Sequence, residues 1–178
     1  MTKIKNKRQV FDGKVVKVKE YDLDFENGNQ RTFEIINFNV ETGVSALPIN
    51  NNKLILIKHY QAGIDEKGYS LPTGGLEHGE DPVSRMQAEL QEEIGFKAGK
   101  LSLLTRLHLL PSYISTEAGY LYLAEDLVPS KLEGDEPYPI EIVELTLSSA
   151  IDLIQSGEIQ DSRTVLAILY YQQFNNPK

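Results

Sequence analysis

The alternation of apolar and polar residues near the N-terminus predicts a β-hairpin. Residues 15–25 and 31–39 both alternate in this way, and Asn27 and Gly28 between them are a strong turn signal. A lone hairpin is only marginally stable in water. We therefore expect this N-terminal piece to pack on the rest of the chain or on a second subunit.

The apolar pattern of the remaining chain predicts a mixture of strands and helices. The run at 54–57 is continuously apolar, which is typical of a central strand covered on both faces. Residues 61–69 and 111–118 are expected to connect elements. Strands are expected at 44–49, 53–60, 101–109, 119–124 and 140–147, and helices at 148–156 and 163–174. This order indicates an α+β arrangement or an α/β/α sandwich.

Residues 73–96 are expected to form a glycine loop followed by one short helix. The Asp81 carboxylate suits the N-cap, Pro82 suits the first helical position, and Gly95 suits a left-handed end. One face of this helix is predicted to be a buried stripe formed by Val83, Met86, Leu90 and Ile94.

Three carboxylates, those of Glu89, Glu92 and Glu93, are predicted to lie on the other side of this helix. Each like-charge neighbour destabilises an isolated helix by roughly 0.2–0.5 kcal/mol. The cluster is therefore either a solvated acidic face or a site for a hard divalent cation such as Mg²⁺. Glycines in the preceding loop, Gly74 and Gly75 among them, would let the backbone approach a diphosphate and so favour the second interpretation.

The same stretch resembles the Nudix box, G-x5-E-x7-R-E-U-x-E-E-x-G-U, in which U is a bulky apolar residue. One fixed position departs from the pattern, because Ala88 stands where the family has arginine. The segments SLPTGGLEHGEDP, LLPSYISTEAG and DLVPSKLEGDEPYPIEI are similar to the ADP-ribose pyrophosphatase branch, and most of all to ADP-compounds hydrolases of the NudE type. The box falls on Gly74, Glu80, Glu89, Leu90, Glu92, Glu93, Gly95 and Phe96.

The resemblance implies an α/β class protein, a Nudix-type α/β/α sandwich with a mixed sheet. It implies an N-terminal β subdomain at 1–43 that forms a homodimer, followed by a Nudix hydrolase domain at 44–178. The implied reaction is Mg²⁺-dependent hydrolysis of ADP-ribose, NADH or diadenosine polyphosphates to AMP and a phosphorylated product, with Mn²⁺ as a substitute ion. Two alternatives are a hydrolase of another nucleoside diphosphate sugar, or a Nudix-fold nucleotide sensor that has lost turnover, which Ala88 would favour.

The resemblance also assigns roles to particular residues. The implied metal ligands are the Thr73 carbonyl, Glu89, Glu92 and Glu93. The implied catalytic residues are Glu92 and Glu136. Arg85 is a further catalytic candidate, which its spacing from Glu89 rather than the resemblance suggests. The candidate substrate contacts are Gly74, Gly75, Tyr113 and Ser115, and the alternative for Tyr113 is a packed aromatic side chain.

Several of these roles have a plainer alternative. Arg85 lies at i, i+4 from Glu89, so its guanidinium either reaches that carboxylate in place of the missing arginine or points to solvent. Glu136 either positions the attacking water or belongs to a solvated turn, with Glu133 and Asp135 as candidates for the same role. Glu80 is either catalytic or a first-turn carboxylate favoured by the helix dipole.

Composition narrows the possible partners. The chain has a net charge of −8, which provides no electrostatic surface for nucleic acid or anionic membrane. It contains no cysteine, and no apolar run is long enough to span a membrane. The basic N-terminus lacks the apolar core of a secretory signal. We therefore expect a cytoplasmic protein, and the small nucleotide substrate is what the resemblance implies.

Overall fold

The computed structural model describes residues 1–38, 42–108, 110–112, 114–115, 118–134 and 136–175. The strands are β1 (Lys3–Asp12), β2 (Val16–Asp24), β3 (Gln30–Phe38), β4 (Thr42–Asn50), β5 (Lys53–Gln61), β6 (Glu66–Ser70), β7 (Thr73–Leu76), β8 (Phe96–His108), β9 (Ala118–Pro129) and β10 (Glu141–Leu145). The helices are α1 (Pro82–Glu89), α2 (Leu147–Gln155) and α3 (Ser162–Tyr170), and α1 and α3 run on into π-helical turns at Leu90–Ile94 and Tyr171–Asn175.

The larger sheet is mixed, as expected. Its strand order is β10-β5-β4-β9-β8, with β6 added beside β5 and β7 beside β4. The pair β4–β9 is parallel, whereas the other pairs of this sheet are antiparallel. Strand β7 had been predicted as a glycine loop, and β6 as part of a connection, because neither shows a clear apolar alternation.

Helices cover both faces of this sheet, which confirms the predicted α/β/α sandwich. On one face Ile55 and Ile57 of β5 pack in a cluster with Met86, Leu90 and Ile94 of the first helix. On the other face Leu54 and Leu56 pack with residues of α2 and α3. The continuous apolar run at 54–57 is thus buried on both sides, as its composition predicted.

A separate antiparallel sheet, β1-β2-β3, contains the predicted N-terminal hairpin as β2 and β3 and adds the strand β1. The prediction missed β1, whose ten residues are all exposed and follow no apolar alternation. Cross-strand charge pairs hold it instead: Arg8 pairs with Glu20 and Asp22 on β2, and Lys5 pairs with Asp24 at 3.0 Å. Such pairs stabilise adjacent strands without a buried face.

In the described part of the chain, every helix is too short or too polar to cross a membrane.

Candidate active site

The first helix begins and ends as the sequence predicts. The Asp81 carboxylate accepts hydrogen bonds from the Ser84 amide at 2.8 Å and from the Ser84 hydroxyl at 2.7 Å. Gly95 ends the π-helical turn with φ of 76°, in the left-handed region. The predicted stripe is buried at Met86, Leu90 and Ile94. The prediction was wrong for Val83, which lies in the first turn and is 43 % exposed.

Glu89 and Glu93 are buried, which argues against a solvated acidic face. Their exposed fractions are 3 % and 7 %. The Thr73 amide donates a 2.9 Å hydrogen bond to the Glu93 carboxylate, and so ties the helix to the start of β7. A Cβ on Gly74 would lie 1.8 Å from Glu89 Oε1, so the Glu89 carboxylate occupies the space that any other residue at 74 would fill.

The Glu93 carboxyl has a strongly perturbed pKa. Burial first, and then the nearby carboxylates of Glu89, Glu136 and Glu92, raise this pKa to about 8, although the hydrogen bond from the Thr73 amide opposes the change. One buried carboxyl among three others therefore lies in a region of concentrated negative charge. A positive ligand would relieve this charge.

Arg85 reaches Glu89 rather than pointing to solvent. The guanidinium forms an ion pair with Glu89 Oε1, and the two side chains are 29 % and 4 % exposed. Arg85 Nε is buried and has no hydrogen-bond partner in the described structure. The chain thus places a guanidinium on the Glu89 carboxylate although Ala88 provides none.

The segment that carries Glu136 is attached to the C-terminal end of the same helix. The Ser130 amide donates to the Gly95 carbonyl at 2.8 Å, and the Leu132 amide donates to the Gln91 carbonyl at 3.1 Å. The Lys131 ammonium also donates to the Glu92 carbonyl. These contacts use carbonyls that the end of a helix leaves unpaired.

Glu136 and Glu93 line one pocket of about 500 Å³. Glu133, the alternative to Glu136, is exposed, and Asp135 lies outside the described residues. The pocket wall also includes Thr73, His59, Tyr138, Asp161 and Arg163. Sequence patterns did not single out Tyr138 or Arg163 as pocket residues, because only the pairing of β5 with β10 and the position of α3 bring them here.

The remaining predicted contacts are placed as follows. Gly75 lies in β7 opposite Gly43. Ser115 is 1 % exposed and forms a bridge to Ile36 of β3, while Tyr113 lies outside the described residues, so their substrate contacts stay predictions. The Glu80 carboxylate accepts from the Glu77 amide at 3.0 Å and closes the turn before α1, which supports its structural interpretation.

The donor set of this site fits a hard divalent cation. Among the residues that the structure describes, no three acidic or histidine side chains already converge on one point. Arg85 and the Thr73 amide hold the carboxylates of Glu89 and Glu93 instead. Carboxylate and carbonyl oxygens are nevertheless the ligands that such ions prefer, and they are concentrated here around a carboxyl whose pKa is raised.

Comparison with known proteins agrees with this geometry. The NUDIX domain profile matches residues 40–165. The ADP compounds hydrolase NudE of Escherichia coli (strain K12) is 32 % identical over 171 residues, covering 96 % of this chain and 91 % of that protein. The ADP-ribose pyrophosphatase of Bacillus subtilis (strain 168) is 33 % identical over 168 residues, covering 93 % and 90 %.

A solved structure is similar over the whole fold. The crystal structure of an ADP compounds hydrolase superposes with a TM-score of 0.89 at 31 % identity, and covers 97 % of this chain and 93 % of its own. The profile match spans most of the chain and includes the helix with its carboxylates. The chain therefore belongs to the Nudix family.

Proposed function

We propose that this Nudix diphosphatase hydrolyses the diphosphate bond of ADP-linked compounds such as ADP-ribose, NADH and diadenosine polyphosphates. Water adds to one phosphorus, the bridging P–O bond breaks, and AMP and a phosphorylated product leave. The observation that carries this proposal is the pocket lined by the buried Glu93, by Glu136 and by Thr73 at the start of β7. Similarity to proteins named for ADP compounds and ADP-ribose supports the substrate class.

A divalent cation completes this site in the proposed mechanism. Nudix hydrolases generally use such an ion, and we infer Mg²⁺, with Mn²⁺ as a substitute. The residues that would hold it are Glu89, Glu92, Glu93 and the Thr73 carbonyl. When bound, the ion neutralises phosphate oxygens and lowers the pKa of water.

The chain's own side chains orient the reactants. Glu136 lines the pocket together with Glu93 of the helix, and its carboxylate accepts the proton of the attacking water. Arg85 holds Glu89 against the backbone of Gly74. The absence of a side chain at Gly74 makes room for the Glu89 carboxylate, and its absence at Gly75 lets a diphosphate approach the strand.

We also propose how the chain is organised around this site. Residues 44–178 form the hydrolase domain, and residues 1–43 form a subdomain through which two copies associate. The net charge of −8 and the absence of cysteine are consistent with a cytoplasmic enzyme that acts on a small nucleotide rather than on nucleic acid.

A phosphate-release assay tests this function. Products are treated with alkaline phosphatase, and the substrates are ADP-ribose, NADH, diadenosine triphosphate, ADP-glucose and GDP-mannose, with Mg²⁺ or with chelator. We expect turnover of the adenine compounds only with Mg²⁺, and a loss of at least about a hundredfold in Glu93→Gln, the scale expected when transition-state electrostatics are removed.

Other outcomes would change the proposal. Preferred turnover of GDP-mannose or ADP-glucose would favour the sugar-nucleotide alternative. A folded protein that binds ADP-ribose but turns over none of the panel would favour the sensor. In that case Ala88→Arg is the variant to examine for restored turnover.

A further inference from the structure

Tyr138 is half-buried in the catalytic pocket, against a histidine whose orientation is fixed. The rings of Tyr138 and His59 are stacked, with centroids 4.9 Å apart and planes 11° from parallel. His59 Nδ1 lies 3.1 Å from the Tyr60 carbonyl, and Nε2 lies 3.0 Å from the Ser70 hydroxyl. Because a carbonyl only accepts, Nδ1 carries a proton and donates, which fixes the plane of the ring that Tyr138 packs on.

Tyr138 and the proposed water-activating residue, Glu136, line the same pocket. A side-chain hydrogen bond to Glu136 is among the causes that raise the pKa of the Tyr138 hydroxyl, so the two groups are neighbours there. Burial, this hydrogen bond and the charges of Glu136 and Glu93 raise the pKa of Tyr138 to about 12. The hydroxyl therefore keeps its proton at neutral pH, and toward Glu136 it acts only as a donor.

Glu136 thus lies between two attachments of its segment. On the N-terminal side, the amides of Ser130 and Leu132 donate hydrogen bonds to carbonyls at the C-terminal end of the first helix. On the C-terminal side, Glu141 of β10 pairs with Lys58 of β5, next to His59. The described residues 133–134 and 136–140 belong to no helix or strand, so no regular backbone pairing orients the Glu136 side chain.

We propose that Tyr138 is a positioning residue for Glu136, and that its hydroxyl, held by the stack on His59, fixes one oxygen of that carboxylate so that the other faces the attacking water. This inference rests on the proposed function. A purely structural role for Tyr138 would affect folding or substrate affinity, whereas a positioning role affects the rate of the chemical step at an unchanged KM.

The test is a set of four purified proteins: wild type, Tyr138→Phe, Glu136→Gln and the double variant. Tyr69→Phe serves as the control, since its ring lies under Lys58 on the same sheet and does not line the catalytic pocket. Steady-state kinetics on ADP-ribose with Mg²⁺ give kcat and KM, and thermal unfolding in chelator shows that each variant is folded.

We expect Tyr138→Phe to lower kcat about tenfold and to keep KM within about twofold of the wild-type value. This loss is smaller than the ~10²–10⁴-fold that general acid–base catalysis contributes, because the carboxylate itself remains. In the Glu136→Gln background the same change should have no further effect, because the oriented carboxylate is gone. His59→Leu, which removes the stacked ring, should give an intermediate loss of kcat and provides a second, independent variant.

Three results would overturn the inference. They are an unchanged kcat in both Tyr138→Phe and His59→Leu, losses that appear only in KM, and losses that add fully to that of Glu136→Gln. A wild type that turns over none of the ADP-linked compounds would instead overturn the proposed function, and this inference with it.

Discussion

Gly74 is the residue at which the geometry of the site is most tightly determined. A Cβ there would meet Glu89 Oε1 at 1.8 Å, Cδ at 2.3 Å and Cγ at 2.6 Å, distances that no adjustment of a few tenths of an ångström relieves. We expect Gly74→Ala to displace Glu89 and lower kcat/KM about a hundredfold, the scale of a misplacement near 1 Å. The measurement is steady-state hydrolysis of ADP-ribose.

Gly63→Ala is the matched control for this change, because a Cβ at Gly63 would meet nothing within 4 Å. It should keep at least half of the wild-type activity. Equal activities in the two glycine variants would contradict the close approach of Glu89 to the strand.

Arg85 provides the second prediction at this scale. Removing one partner of a buried pair leaves the other charge unpaired. Since Arg85 remains 29 % exposed, we expect Arg85→Ala to lose about 1–2 kcal/mol of stability and about tenfold in kcat. Arg85→Lys should recover only part of the activity, because an ammonium lacks the guanidinium fork.

The double variant Arg85→Ala with Ala88→Arg tests whether the guanidinium itself is what matters. It returns an arginine to the position where the Nudix pattern has one, so we expect more than half of the lost kcat to return. Urea unfolding and steady-state kinetics are measured on the same protein samples. Full activity in Arg85→Ala alone would show that Arg85 has no role in orienting Glu89.

The raised pKa of Glu93 predicts how stability changes with pH in the absence of metal. Its folded-state value is about 8, against an ordinary value of 4.5, so the folded protein binds this proton more tightly than the unfolded chain. The resulting stabilisation is complete below about 4.5 and is lost as the pH rises through about 8. This stabilisation is on the order of a few kcal/mol, because a pKa difference of one unit corresponds to about 1.4 kcal/mol.

Glu93→Gln mimics the protonated form and isolates this effect. In chelator, we expect the variant and wild type to have similar free energies of unfolding near pH 4.5, and the variant to be the more stable near pH 8. Urea unfolding at several pH values provides the comparison. A constant difference across this range would refute the assignment.

At the scale of secondary-structure elements, strong apolar patterns were sufficient to predict the strands and helices that bury side chains in the core. Strand β5 was predicted from its run of four apolar residues, and α1 from its cap, its proline and its stripe. Strand β1 escaped prediction because cross-strand ion pairs rather than buried side chains hold it. The π-helical turn after Glu89 escaped too, since apolar spacing does not specify which carbonyl each amide bonds to.

Within the proposed site, the proximity of residues that are close in the sequence could be predicted, whereas contacts between distant segments could not. The carboxylates of Glu89, Glu92 and Glu93 share one short segment, so their proximity is local and visible in the sequence. The approach of Glu136 depends on hydrogen bonds between residues about forty positions apart, such as the 2.8 Å contact of Gln91 with Ser130. The stack of Tyr138 on His59 depends on the register of β10 against β5.

The C-terminal end of the first helix, where Gly95 follows the π-helical turn, allows a test at this scale. Gly95 has φ of 76°, and a Cβ there would meet only the flexible Lys131 side chain at 3.5 Å, so the penalty of a substitution is conformational rather than steric. We expect Gly95→Ala to lower the free energy of unfolding by about 1 kcal/mol. Gly95→Asn should lose less, because asparagine tolerates this conformation. Equal losses would argue against a purely conformational cause.

At the scale of the whole molecule, the N-terminal sheet stands out because so little of it is buried. Ile4, Val10 and Phe11 of β1 are 50 %, 50 % and 56 % exposed. Strand β3 reaches the part of the chain that matches the NUDIX domain through a 2.7 Å hydrogen bond from the Ile36 amide to the Ile114 carbonyl. A sheet with one weakly covered face needs a further surface to pack on, and in the proposed homodimer a second copy supplies it.

Light scattering after size exclusion tests this assembly. We expect a particle of twice the 20.0 kDa chain mass. Phe11→Glu should weaken association more than a hundredfold, because fully burying a Phe contributes about 1.5–3 kcal/mol and a two-fold interface contains the residue twice. Val128→Glu, a change at a residue 53 % exposed on β9, is the control and should leave the mass unchanged. A wild type of 20.0 kDa would mean that the apolar residues of β1 face solvent in the working enzyme, and that each subunit carries a complete site.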